Sequence, residues 1–97
     1  MDLRVDVLGP LEVERDGQPM RIPGRKERAL LATLAVRAGW VLTVDQLIDV
    51  LWNEEPPPSA HATLRSYISR LRRVLGEAIV SGPGGYALDL DGDAVDA

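Results

Sequence analysis

Four arginines and no acidic residue fall within Ser59–Gly76, the stretch S-A-H-A-T-L-R-S-Y-I-S-R-L-R-R-V-L-G. They are Arg65, Arg70, Arg72 and Arg73, in a chain whose formal net charge is -4. A guanidinium is always charged and presents its donors as a fixed planar fork, which suits phosphate oxygens and the acceptor edge of guanine. Leu64, Ile68, Leu71 and Leu75 recur at i, i+4, i+7 and i+11, which predicts one helix with a single apolar stripe. At about 100° per residue, Arg65, Ser66, Ser69 and Arg73 point the opposite way, and Arg70 and Arg72 lie on the shoulders. One side of this helix is built for burial and the other for an anionic partner, for which duplex DNA is the expectation.

The overall charge alone argues against nucleic acid, because such domains are usually basic. Its distribution argues the other way. Residues 1–20 carry -3, 21–37 carry +4, 38–58 carry -4, 59–76 carry +4 and 77–97 carry -5. A duplex responds to the field of one face, screened over roughly 8–10 Å at physiological salt, more than to the total.

The other residues with chemical potential form no catalytic or metal-binding set. His61 is the single histidine and there is no cysteine, which excludes a histidine-rich zinc site, a disulfide and a second catalytic histidine. Asp89–Asp93 has a misplaced glycine and no following glutamate for a calcium loop. Gly82–Gly85 lacks the Lys-Ser/Thr of a phosphate-binding loop, and Glu54 and Glu55 sit in a loop with nothing to desolvate them. We therefore expect no enzyme activity, no cofactor and no metal. Neither a secretory leader nor a membrane span is visible, so the expected location is the cytoplasm.

The 97 residues suffice for one domain with its own core. Leu3–Val7 and Leu11–Arg15 alternate as half-buried strands, and Asp16-Gly17 is a hairpin signal. The returning segment, with Met20 and Ile22, is shortened by Pro19 and Pro23. A small antiparallel sheet of about three strands should therefore occupy residues 1–23. Three helices are expected in 24–76. The first runs from about Gly24 to Ala38, with Leu30, Leu31, Leu34, Ala35 and Ala38 inward and Gly39 as its stop. Arg25, Lys26 and Arg28 crowd its first turn, against the helix dipole. Thr43-Val-Asp-Gln46 has capping-box spacing for a second, short helix that buries Val44, Leu47, Ile48 and Leu51 and closes at Trp52. Asn53–Pro58 should be a stiff exposed loop. Ser59 is the expected N-cap of the third helix, which stops near Gly76. Residues 77–90 should form a hairpin, with Ala78-Ile79-Val80 as its first strand, a turn through Ser81–Gly85, and a second strand with Tyr86, Leu88 and Leu90 on one face. Residues 93–97, beyond a domain of 1–92, are expected to be a tail or the start of a linker.

A short helix, then a longer one with an outward basic face, then a hairpin describes a winged helix-turn-helix of the α+β class. The segments V-D-Q-L-I-D-V-L-W, P-P-S-A, T-L-R-S-Y-I-S-R-L-R-R-V-L-G and G-G-Y-A-L resemble the OmpR/PhoB-type winged helix. The opening L-R-V-D-V-L-G-P-L-E-V and G-R-K-E-R-A-L-L-A-T-L-A are similar to the Streptomyces antibiotic regulatory protein (SARP) type of transcriptional activator. The resemblance covers residues 1 to about 90. It implies a third helix in the major groove, tandem or dimeric protomers on direct repeats, and target promoters such as those of secondary-metabolite genes. It also implies a helical C-terminal domain beyond residue 97.

Position by position, the resemblance places Thr63, Arg65, Ser66, Ser69, Arg70, Arg72 and Arg73 on the DNA-facing stretch. Arg65 and Ser66 are the expected readers of base edges; Arg70, Arg72 and Arg73 are the expected phosphate contacts. Trp52, His61, Gly84 and Tyr86 are candidate phosphate contacts through the indole, the imidazole, backbone N–H groups and the phenol. The loop Asn53, Glu54 and Glu55 matches the segment that meets a sigma or alpha subunit of RNA polymerase in such activators. The hairpin departs from the pattern, since Gly82 and Ala87 stand where relatives often carry arginine. The alternative reading is a winged helix that uses its arginine face on an acidic protein.

Overall fold

The computed structural model describes residues 3–7, 9–53, 55–89 and 95–96, without the side chains of the last two. Strands β1 (Leu3–Asp6), β2 (Glu12–Arg15) and β3 (Gln18–Met20) form an antiparallel meander. Val5 pairs with Val13, and Val13 with Met20, so the alternating pattern puts Leu3, Val5 and Val13 into the core. The β2–β3 turn holds Asp16 at φ 53° and Gly17 at φ 79°, the two positive angles of a type I′ hairpin. Pro19 lies inside β3 rather than ending it, because β3 is the edge of the sheet and spares one N–H.

Helix α1 spans Arg25–Val36 and buries Leu30, Leu31, Leu34 and Ala35; Ala38 lies beyond its end and is half-buried. A two-residue strand β4 (Leu42–Thr43), which the sequence reading did not anticipate, leads directly into α2 (Val44–Trp52). The capping box at the start of α2 is complete: the Gln46 N–H donates to Thr43 Oγ1 at 3.1 Å and the Thr43 N–H to Gln46 Oε1 at 2.9 Å. Helix α3 (Ala60–Leu75) follows the proline loop and ends at Gly76, φ 62°. A 3₁₀ turn (Gly76–Ala78) connects it to β5 (Ile79–Gly82), and β6 (Gly85–Leu88) returns.

The hairpin turn is tighter than expected, since Gly82 pairs with Gly85 and only Pro83-Gly84 lies between the strands. Strand β4 pairs with β6, giving a second sheet in the order β4-β6-β5. Gly85 permits this: a Cβ there would stand 1.9 Å from the Leu42 carbonyl oxygen. The Val44 N–H also donates to the Gly84 carbonyl at 3.0 Å, so the start of α2 is fastened to the hairpin.

Three local expectations are corrected. Ser59 occupies the N-cap position of α3, but its side chain caps no backbone N–H, and its Oγ lies 3.4 Å from Thr63 Oγ1. Its φ/ψ of -92°/15° is a turn conformation, not the extended one that aims a capping oxygen at the first helical turn. Ala78 belongs to the 3₁₀ turn and not to β5. Val95–Asp96, expected as tail, forms a short strand β7 parallel to β1, opposite Val5 and Asp6, so the first sheet has four strands. Leu90 and Glu54 lie outside the described residues.

Candidate nucleic-acid interface

The inner stripe of α3 is as the spacing predicts. Leu64, Ile68, Leu71 and Leu75 are at most 2% exposed and join Leu30, Leu34, Leu47 and Leu88 in one core. Two residues out of phase runs a second stripe, Ala62, Ser66, Ser69 and Arg73, all exposed, with Arg65 exposed beside it. Small side chains along most of this line leave the helix surface low, so a partner can approach the backbone closely. At 16 residues the helix is about 24 Å long, and the major groove, about 12 Å wide, admits one helix.

The four arginines are in two different situations. Among the described residues, Arg65 and Arg73 make no hydrogen bond or ion pair through their side chains. Arg70 and Arg72 are both engaged. Arg70 Nη1 lies 2.8 Å from Glu27 Oε1 of α1, in an ion pair whose glutamate side chain is only 8% exposed. Arg72 donates from Nε to the Ile79 carbonyl at 3.2 Å and from Nη2 to Ser81 Oγ at 3.1 Å, and its guanidinium lies 5.7 Å from the Tyr86 ring centroid. Tyr86 is thus half-buried beneath an arginine of α3. Arg70 faces α1, and Arg72 faces the hairpin.

The first turn of α1 resolves the charge conflict seen in the sequence. Lys26 Nζ donates to the Leu51 carbonyl at 2.6 Å, near the negative end of α2, and sits 5.3 Å from the Trp52 ring centroid. Arg28 Nη1 donates to the Ile22 carbonyl at 3.3 Å. Trp52 is half-buried and stacks on Tyr67 of α3, with centroids 6.2 Å apart and planes 19° from parallel. Its ring therefore joins α1, α2 and α3 on the face where Arg70 emerges.

The remaining candidates are dispersed around α3. His61 is exposed in the first turn, its Nε2 3.7 Å from Asp45 Oδ1 at the start of α2. Thr63 is half-buried on the Arg70 side. Gly84 is exposed at the hairpin tip, φ 72°. Asn53, φ 54°, closes α2 by donating its N–H to the Asp49 carbonyl at 2.8 Å, and Glu55 is exposed beyond it. Ala62 was passed over in the sequence, although its place two residues before Leu64 marks it as outward. Glu27 was also missed; its signal is an acid at the third position of a helix that follows glycine. A solvent-facing apolar group of Val36, Trp40, Val41 and Val50 was not anticipated either. Among the described residues no helix is long and apolar enough to cross a membrane, and no acidic or histidine group could hold a metal ion.

Residues 17–84 match the family described as transcriptional regulatory protein, C terminal. The chain belongs to that family. It is 49% identical over 87 residues to the regulatory protein AfsR of Streptomyces coelicolor, covering 89% of this chain and 9% of AfsR. Its fold superposes with a TM-score of 0.91 and 36% identity on EmbR of Mycobacterium tuberculosis, solved with a low affinity phosphopeptide, covering 97% of this chain and 27% of EmbR. DrrB of Thermotoga maritima, an OmpR/PhoB homologue, superposes at 0.76 with 28% identity over 93% of this chain and 42% of its own. These likenesses bear out the OmpR/PhoB-type winged helix, its α+β class and the kinship of the opening segment with the SARP-type regulators. The chain spans about a tenth of AfsR and about a quarter of EmbR.

Proposed function

We propose that this domain binds duplex DNA sequence-specifically, as part of a bacterial transcriptional activator, with α3 seated in the major groove. The observation that carries the reading is the outward face of α3. There Arg65 and Arg73 make no side-chain hydrogen bond or ion pair among the described residues and flank the low surface of Ala62, Ser66 and Ser69. Arg65 and Ser66, in the N-terminal half, address base edges; Ser69 and Arg73 address phosphates. Thr63 borders the groove on one side. On the other, Arg72 keeps one terminal nitrogen for the backbone, and His61 and the Gly84–Tyr86 region supply weaker contacts. The hairpin lacks arginine at positions 82 and 87, so the helix bears most of the affinity. Asn53, Glu54 and Glu55 offer RNA polymerase an acidic loop, and tandem protomers on direct repeats fit a domain of this size. Such a domain acts in the cytoplasm and performs no catalysis of its own.

The test is binding to duplexes selected from a random pool, titrated with salt. With about four phosphates neutralised, log K falls against log[salt] with a slope of about -4, and the selected site is preferred over random duplex by at least about 10³-fold. Binding without any sequence preference, even at low salt, overturns the reading. Capture of acidic proteins in place of duplex would establish the arginine face as a protein-docking surface instead.

A further inference from the structure

Glu27 is the one buried charged residue among the described positions, at 6% exposure, and it lies beside the element that meets the ligand. A buried carboxylate needs a partner, and Arg70 supplies one at 2.8 Å across 43 residues of sequence. A second feature holds the carboxylate in place. Gly24 lies so close that a Cβ there would stand 2.7 Å from Glu27 Cδ and 2.8 and 2.9 Å from its two oxygens. With φ at -80° the Gly24 backbone itself would accept alanine, so the glycine is required by the carboxylate and not by the chain path. The positive end of α1 adds further attraction, because Glu27 lies in its first turn.

Arg70 projects roughly 60° from the outward axis of α3, and its side chain remains 59% exposed. Released from Glu27, its flexible stem would bring the guanidinium to the rim of the groove. Paired, it contributes no net charge there. Non-specific duplex binding is almost wholly electrostatic, while base contacts carry specificity.

We infer that Glu27 withholds Arg70 from the duplex backbone and thereby sets the ratio of specific to non-specific binding. Glu27 is a positioning residue, acting through Arg70 without touching the ligand. The inference rests on the reading of α3 as the DNA-facing element and reverses the expected phosphate role of Arg70.

Salt titrations of the 97-residue chain on random-sequence duplex and on a selected site test it. Arg70→Gln leaves the salt slope at the wild-type value. Glu27→Gln steepens it by about 0.9, tightens random-duplex binding on the order of fivefold near 0.1 M salt and lowers the specificity ratio by a similar factor. Gly24→Ala, which changes no charge but displaces the carboxylate, shifts the slope in the same direction and serves if Glu27→Gln fails to fold. The double variant Glu27→Gln/Arg70→Gln returns the slope from the steeper Glu27→Gln value to wild type, which assigns the steepening to Arg70. A merely structural pair would show no steepening in Glu27→Gln to be reversed. A slope shallower by about 0.9 in Arg70→Gln means the arginine already holds a phosphate and overturns the inference. So does an unchanged slope in both Glu27→Gln and Gly24→Ala. Absence of duplex binding by the wild-type chain is a different failure, that of the functional reading itself.

Discussion

Arg65 and Arg73 differ from Arg70 and Arg72 in what surrounds them, although all four sit on the same 16-residue helix. The first two are exposed and, among the described residues, make no side-chain hydrogen bond or ion pair. The second two are committed to α1 and to the hairpin, at 2.8 Å from Glu27 and at 3.2 and 3.1 Å from Ile79 and Ser81. Residue type alone therefore does not decide what an arginine of this helix contacts. The difference comes from what each position meets: Arg70 stands against α1 and Arg72 against the hairpin, and each is recruited there, while Arg65 and Arg73 stay exposed. One composition thus serves two tasks, fastening the helix and presenting it.

The largest expected effect removes the frame shared by both pairs. Leu71 is 1% exposed beneath α3, and Leu71→Ala should cost about 2–5 kcal/mol through a cavity. Thermal or denaturant unfolding measures it, and an unchanged midpoint would contradict the packing of α3. Next comes the outward pair. Arg65→Ala should lose about 1–3 kcal/mol of binding on the selected site and relax preference at one base position. Equal losses on selected and random duplex would move Arg65 into the phosphate class. Arg72→Ala should show the opposite balance, with about 1 kcal/mol lost from stability and a smaller loss in affinity. If affinity falls more than stability, the contrast between shoulder and outer face breaks at that residue. The smallest effect separates two helix starts. Thr43→Ala should destabilise by about 1 kcal/mol because it removes a working cap, whereas Ser59→Ala should stay within about 0.5 kcal/mol. Equal melting shifts would show that the Ser59 hydroxyl stabilises α3 after all.

Much of the frame was legible because it is periodic. The α3 stripe, the alternation in β1 and β2, and the capping box each repeat a spacing that one conformation satisfies. What escaped was either too short or too distant. Leu42–Thr43 is two residues long and has no period to detect; its strand character comes from β6, more than 40 positions later. Val95–Asp96 lies in an acidic, small-residue stretch, and its pairing depends on an open edge of β1. Ser59 has the right side chain for a cap, but the preceding turn, where the Ala60 N–H donates to the Pro57 carbonyl, sets its dihedral angles. Arg65, Ser66, Ser69 and Arg73 are exposed as their spacing predicts, whereas Thr63 and Arg72 are half-buried. The arginines were divided by position along α3. The division imposed by Glu27, Ile79 and Ser81 is tertiary, and no local spacing encodes it.

The fastening of α3 has a consequence for the thermodynamics of docking. Arg15 of β2 donates to the Val74 carbonyl at 3.2 Å near the C-terminal end, while Trp52 stacks on Tyr67 in the middle. With the Arg70 and Arg72 contacts, the helix is tied to β2, α1, α2 and β5. Such a helix surrenders little motional freedom when it meets a surface, so little of the interaction energy is spent on ordering it. Discrimination between two duplexes then reflects the side chains that touch them, and swapping outward residues should retune preference without rebuilding the scaffold.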